Sequence, residues 1–282
     1  MNARSTRISL AALSALVIAF LWIPLVIIAL YAFNGSNIQG WPITNWTLHW
    51  FHVGWHDPDV RSALWLSVKA GLLASGAALV LGTMAAAAVA RFRFFGREAV
   101  SFLLVLPLAL PGIITGMALN SFLFTTAKLT PSLWTIVIGH ATFCVVVVYN
   151  NVVARLRRSS PSLIEASYDL GADGWQTFRF VVWPVLSTAL VAGGLLAFAL
   201  SFDEVIVTTF TAGAQETLPI FILDNIERGQ QLPVVNVVAF FVIVVTVIPV
   251  ALAQRVMRDT GIVRRGAAQV TEGVEAAEIP AT

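Results

Sequence analysis

Charge is what this sequence has least of. Only 11% of its 282 residues are Asp, Glu, Lys or Arg, where a soluble domain of this length carries roughly a quarter. So little polar surface cannot cover a globular particle in water, and lipid must be the main solvent. Cysteine is nearly absent as well. Cys144 stands alone in an apolar run, which excludes an intrachain disulfide and matches no zinc or redox spacing; it is expected to be a small buried hydrophobe. There is no G-x-x-x-x-G-K-[ST] sequence, so the chain cannot itself cradle a nucleotide in a P-loop. H-E-x-x-H and G-x-S-x-G are missing too, which weighs against an intramembrane hydrolase. No metal-ligand set is apparent, and no catalytic residue is expected. A net charge of +2 gives no reason to invoke a nucleic-acid partner. Alternating segments of about ten residues are lacking, so helices are the expected spanning structure rather than a barrel.

What the chain does have is apolar length. Hydrophobic residues make up 58% of it. Runs long enough to cross the hydrocarbon, roughly 20 residues each, occur at Ile8–Phe33, Ala63–Ala90, Glu98–Phe124, Pro131–Val153, Pro184–Phe210 and Val234–Gln254. The first follows Arg4 and Arg7 but is too long for a signal h-region and has no clean cleavage site after it, so it is expected to be retained. With the N-terminus inside, all of the 17 Lys and Arg residues except Arg61, Lys69, Lys128 and Arg228 fall on the cytoplasmic side. That asymmetry is what the positive-inside rule demands, and it places both termini in the cytoplasm. The layout is then a cytoplasmic N-terminus over 1–7, a transmembrane domain over 8–258, and a cytoplasmic tail over 259–282 whose small and polar composition predicts disorder. Trp41, Trp46, Trp50 and Trp55 cluster in the first outer loop, as interfacial anchors do. Ala78, Gly82, Ala86 and Ala90 recur every fourth residue, and so do Gly193, Ala197 and Ser201. Such stripes let helix backbones approach closely within a membrane.

The segment from Arg155 to Pro184 is unusually ordered for a loop. Ser160 followed by Pro161 is a helix start, and Ser162 with Glu165 offers an alternative capping box one turn on. Gly171 suits a left-handed stop after Leu170. Asp173 with Gln176 opens a second helix through Val182. Two short helices joined at a glycine and lying against the membrane surface would make a docking surface, because a rigid protrusion can transmit motion.

The same segment resembles the loop pattern Glu-Ala-Ala-x3-Gly-x9-Ile-x-Leu-Pro of permease subunits in bacterial ABC importers. Glu165, Ala166, Gly171 and Pro184 fall in register; Ser167 replaces an alanine, Val181 an isoleucine and Trp183 a leucine. The resemblance implies that the loop, with Glu165, Ala166, Ser167, Asp169, Gly171 and Pro184, docks on an ATPase subunit and couples hydrolysis to alternating access. ATP and magnesium would then be cofactors of that partner and not of this chain. Glu165 would serve as a cap or as a salt bridge across the docking interface.

Polar residues inside spans are costly and are functional candidates. Asp203 and Glu204 follow Phe202 in the fifth span. On an ideal helical wheel Glu204 falls within about 20° of Gly193, and Asp203 about 80° to the other side. Either they line a translocation path and attract a cation, or they pair with a neighbouring subunit or sit at a wet helix end. Pro107 and Pro111 are expected to kink the third span, and Asn120 and His140 are intramembrane polar groups expected to bond between helices.

Leu106–Leu119 (LPLALPGIITGMAL) and Ser201–Ala239 are also similar to the spermidine/putrescine branch of these permeases. This implies a type I importer fold of about six helices and a heterodimer with a homologous second permease. It further implies two ATP-binding subunits, an external solute-binding protein and a polyamine substrate, with Asp203, Glu204, Phe202 and Asn120 beside the path. Other members of the branch carry opines, amino-alkyl phosphonates, γ-aminobutyrate or ferric iron. A secondary carrier and a membrane enzyme are the readings from other classes.

Overall fold

In the computed structural model the described residues are 3–92, 94–159 and 162–246. The tail over 259–282, the Ser160–Pro161 helix start and the far end of the sixth expected span lie outside them. The chain divides into two units, one formed by residues 1–56 and 229–282, the other by 57–228. Among the described residues the secondary structure is helical, apart from one isolated bridge between Asn34 and Trp46.

In the first unit, α1 (Ala3–Tyr31) contains the candidate span Ser9–Tyr31. A short helix α2 (His49–His56) packs on the helix Leu232–Thr246. Gly54 is buried at this contact and faces Val234 and Val237. Phe33, Phe51 and Phe240 close the contact with ring centroids 4.9–5.8 Å apart. Trp41, Trp46 and Trp55 are exposed, as interfacial anchors would be.

The second unit holds the core. It comprises α3 (Pro58–Arg91), α4 (Arg97–Ala109), α5 (Gly112–Asn120), α6 (Leu133–Arg158), α7 (Ser162–Asp169), α8 (Gly174–Thr177), α9 (Trp183–Phe202), α10 (Ile206–Thr211) and α11 (Leu218–Glu227). Helix α3 begins at Asp57, whose carboxylate accepts from the Asp59 and Val60 amides, with Pro58 at the first helical position. The small-residue stripes do what their spacing predicts. Ala78, Gly82 and Ala86 of α3 and Gly193, Ala197 and Ser201 of α9 are buried against α6, where Val148, Tyr149 and Val152 fill the contact. Ala90, near the end of α3, is exposed instead. Cys144 is buried in the same cluster, its Sγ 3.3 Å from the Ala197 carbonyl.

Among the described residues, four helices are long and apolar enough to cross a membrane: Ser9–Tyr31, Pro58–Arg91, Leu133–Arg158 and Gly174–Phe202. The third expected span is not a single rod. It is broken into 97–109 and 112–126, which meet at 101°. Pro111 causes the break and Pro107 does not. Pro107 sits inside α4, whereas Leu110 is forced to φ −80°, ψ 146° by the proline ring that follows it. The fifth expected span is shifted. Its helix starts at Gly174, inside the expected surface loop, and ends at Phe202 rather than Phe210.

Candidate functional site

The loop between α6 and α9 is an elbow of two helices set at an angle. Helix α7 ends at Asp169, the Leu170 and Gly171 amides close the last turn on the Ala166 and Tyr168 carbonyls, and Gly171 turns the chain at φ +82°. Asp173 and Gln176 then form the expected reciprocal capping box, at 2.8 and 3.0 Å. The inside of the elbow is held by a buried hydroxyl pair. Ser167 Oγ donates to the Ile164 carbonyl at 2.7 Å and lies 2.9 Å from Thr177 Oγ1. Ser167, which departs from the alanine of the family pattern, is thus the brace between the two arms.

The second arm does not lie apart on the membrane surface. It runs through a π-turn, Phe178–Val182, directly into α9, so that 174–202 is one continuous helix. The wider turn has a physical reason. Pro184 has no N–H to give to a carbonyl four residues back, and the chain adjusts ahead of it, with the Trp183 amide reaching the Phe178 carbonyl. The base is tied by Arg155 Nε, which donates to the Val185 carbonyl at 2.9 Å. The second arm of the elbow is thus the first part of a rod of 29 residues.

The outer surface of the elbow is apolar and uncovered. Leu170 is 88% exposed, and Leu163, Tyr168 and Trp175 are exposed beside it. Glu165, Ala166 and Asp169 are exposed as well. Among the described residues the Glu165 side chain makes no hydrogen bond or ion pair, so it does not complete the alternative capping box with Ser162 there.

The other end of the rod carries the acidic pair. Helix α9 stops at Phe202, with Asp203 as its C-cap at φ −92°, ψ −1°, and α10 starts at Ile206. The helical wheel does not hold past that break. Glu204 turns inward, and its Oε1 accepts from the Val207 amide at 2.9 Å, capping α10. The Asp203 carboxylate is exposed and has no hydrogen-bond partner among the described residues. At 1.5 Å per residue Asp203 stands about 29 Å from Pro184, about one hydrocarbon thickness away. Phe202 meets Phe198 in a tilted ring contact at 5.9 Å, and Phe198 in turn fills the space beside Gly71 of α3.

The half-helices that follow the two breaks pack on each other. Gly112 meets Ile206, and Gly116 lies so close that a Cβ would sit 2.5 Å from Phe210 Cδ2. Asn120 Nδ2 donates to the Phe210 carbonyl at 2.7 Å. Asn120 is therefore a staple between half-helices, and it is half-buried there. Other hydroxyls the sequence did not single out complete the fastening. Thr135 Oγ1 shares its one proton between the Ser132 and Thr211 carbonyls, at 2.7 and 2.8 Å, and Ser67 Oγ accepts from the Leu218 amide at 2.8 Å. Broken backbone at membrane depth requires such partners, and isolated Ser and Thr in apolar helices were their only signal. No group of three or more potential metal ligands occurs among the described residues.

The chain is 32% identical to the putrescine transport system permease protein PotI of Escherichia coli K12 over 79% of its own length and 82% of that protein's. It is 31% identical to the spermidine/putrescine transport system permease protein PotC of Haemophilus influenzae over 86% and 93%. Its fold matches the crystal structure of a bacterial ABC transporter involved in the import of the acidic polysaccharide alginate, with a TM-score of 0.67, 17% identity, and coverage of 89% of this chain and 96% of that one. Residues 78–260, from the small-residue stripe past the elbow and the acidic break, fit the model of one family, the binding-protein-dependent transport system inner membrane component. The chain belongs to the binding-protein-dependent transport system inner membrane components, as an all-helical permease subunit of an ABC importer.

Proposed function

We infer that this subunit forms half of the translocation path for a polyamine of the putrescine and spermidine class, with Asp203 as the carboxylate that meets the cation. The observation that carries this reading is the division of labour at the α9–α10 break. Glu204 is committed to a backbone amide, while Asp203, one residue earlier, is exposed and has no partner among the described residues. A free carboxylate about one hydrocarbon thickness from the elbow suits the mouth of a path for a dication. Similarity to PotI and PotC over most of the chain supports the same substrate class.

The Lys/Arg distribution supports a cytoplasmic elbow and cytoplasmic termini. A motor docks there on Leu170, Tyr168 and Glu165, and its stroke travels through α8 and α9 to the acidic mouth. The assembly in this reading is a heterodimer with a second permease, two ATP-binding subunits that hold the nucleotide and magnesium, and an external solute receptor.

The test is uptake by the reconstituted complex. Putrescine or spermidine should be accumulated with ATP and should compete with each other, while an uncharged solute of similar length should do neither. Accumulation of the uncharged solute, with no effect of polyamine, would refute the substrate assignment.

A further inference from the structure

His140 is buried at 1% exposure in α6, and both of its ring nitrogens are occupied. Nδ1 lies 2.7 Å from Ser201 Oγ, in the last turn of α9. Nε2 lies 2.8 Å from Thr208 Oγ1, in the first turn of α10. The two partners are on opposite sides of the Asp203–Val205 break. Thr208 Oγ1 also donates to the Glu204 carbonyl at 2.6 Å, and Glu204 Oε1 receives the Val207 amide at 2.9 Å. One imidazole therefore bridges the ends that the chain leaves covalently joined by only three non-helical residues.

The hydrogen inventory fixes the direction of each bond. A threonine hydroxyl has one proton, and that of Thr208 is given to the Glu204 carbonyl. Thr208 Oγ1 must then accept from Nε2–H of His140. A neutral imidazole has its second nitrogen free to accept, so Ser201 Oγ–H donates to Nδ1. The network closes with every member satisfied, and Ser201 can take no other role without leaving Nδ1 empty in a buried site.

We propose that His140 is a positioning residue for transport: its two ring nitrogens hold α9 and α10 in register across the break, and this sets where Asp203 and Glu204 stand when the elbow drives α9. The inference rests on the importer reading, and deepens it by naming what keeps the rod and the acidic mouth in step. It does not depend on which solute is carried.

The substitutions separate the two bonds. The amide of His140→Gln reaches the Nε2 position and keeps Thr208 while losing Ser201; the amide of His140→Asn reaches the Nδ1 position and does the reverse. Ser201→Ala loses the same bond as His140→Gln. In the assembled transporter each of these should leave basal ATPase activity unchanged and lower solute-stimulated ATPase activity about fivefold, the worth of one buried hydrogen bond. The pair His140→Gln with Ser201→Ala should fall no further than either alone, because both remove one bond. The pair His140→Asn with Ser201→Ala removes both bonds and should fall about 25-fold. Independent, multiplying effects of His140→Gln and Ser201→Ala, or wild-type stimulation in all variants, would overturn the proposal.

A second readout needs no solute. A cysteine placed by Val205→Cys, in the break itself, reports register through its rate of maleimide labelling, with the buried Cys144 of the parent chain as background. His140→Gln and Ser201→Ala should each raise that rate about fivefold; an unchanged rate in both refutes the clamp. If polyamines fail to stimulate the wild-type complex while the labelling rates rise as expected, the substrate assignment falls and the clamp stands.

Discussion

A methyl group added at Gly82 should separate the two helices on which the second unit is built. A Cβ there would lie 2.9 Å from the Val145 carbonyl oxygen, 3.0 Å from Val148 Cβ and 3.1 Å from the Tyr149 amide nitrogen. Two of these three atoms are backbone of α6 and cannot rotate away, so α3 and α6 must part by about half an ångström to restore van der Waals contact. Overpacking of this kind costs about 1–3 kcal/mol. Replacing an interior helical glycine by alanine also recovers about 1 kcal/mol of helix propensity, which blurs the single measurement. Gly76 removes that ambiguity. It lies in the same helix, and a Cβ there meets nothing within 4 Å, so Gly76→Ala keeps the propensity gain without the clash. The two variants should therefore differ by the full ~1–3 kcal/mol. The assay is the thermal midpoint of the detergent-solubilised protein, with wild type between the two or level with Gly82→Ala. Equal midpoints for Gly82→Ala and Gly76→Ala would refute the close approach of α3 to α6.

Three further outcomes follow from the site. Asp203→Asn should lower polyamine uptake by roughly tenfold, the scale of one partly solvated charge contact, whereas Glu204→Gln keeps an oxygen for the Val207 amide and should be the milder change; uptake assays in which Glu204→Gln is the worse variant would reverse the roles given to the pair. Ser167→Val strands Thr177 Oγ1 inside the elbow and should cost about 1–3 kcal/mol, read as a lower melting temperature with less solute-stimulated ATPase activity; a wild-type melt would show that the hydroxyl pair braces nothing. Gly171→Ala forces a side chain to φ +82° at a cost of about 1–2 kcal/mol, and should weaken stimulation while the basal rate holds, as measured by ATP turnover with and without solute.

The parts of this protein written in periodic residues were legible in advance. Every-fourth small residues announced the close-packed faces of α3 and α9, though not that α6 is their partner, and Asp173 with Gln176 announced the second arm of the elbow, because each pattern has one local physical cause. The breaks were less legible. Pro111 was visible, but choosing it over Pro107 required knowing which proline had a helix around it. Nothing in Ser201–Val205 marks the end of α9: no glycine or proline stands there, and the stop depends on Glu204 turning back to the Val207 amide and on His140 reaching both sides. The bond from the Asn120 amide to the Phe210 carbonyl could not be read in advance either. Such tertiary bonds have no sequence period. Ser167 showed the opposite lesson, since a departure from a family pattern marked the brace of the elbow.

The central claim is that the elbow is where a motor pushes. Leu170, the most exposed apolar side chain on it, is the place to ask. A cysteine introduced by Leu170→Cys in the assembled complex should cross-link to the ATP-binding subunit and be shielded by it from maleimide on the cytoplasmic face. Labelling of that cysteine by an impermeant maleimide from the opposite face, or full reactivity with no cross-link when the ATPase is bound, would contradict the account.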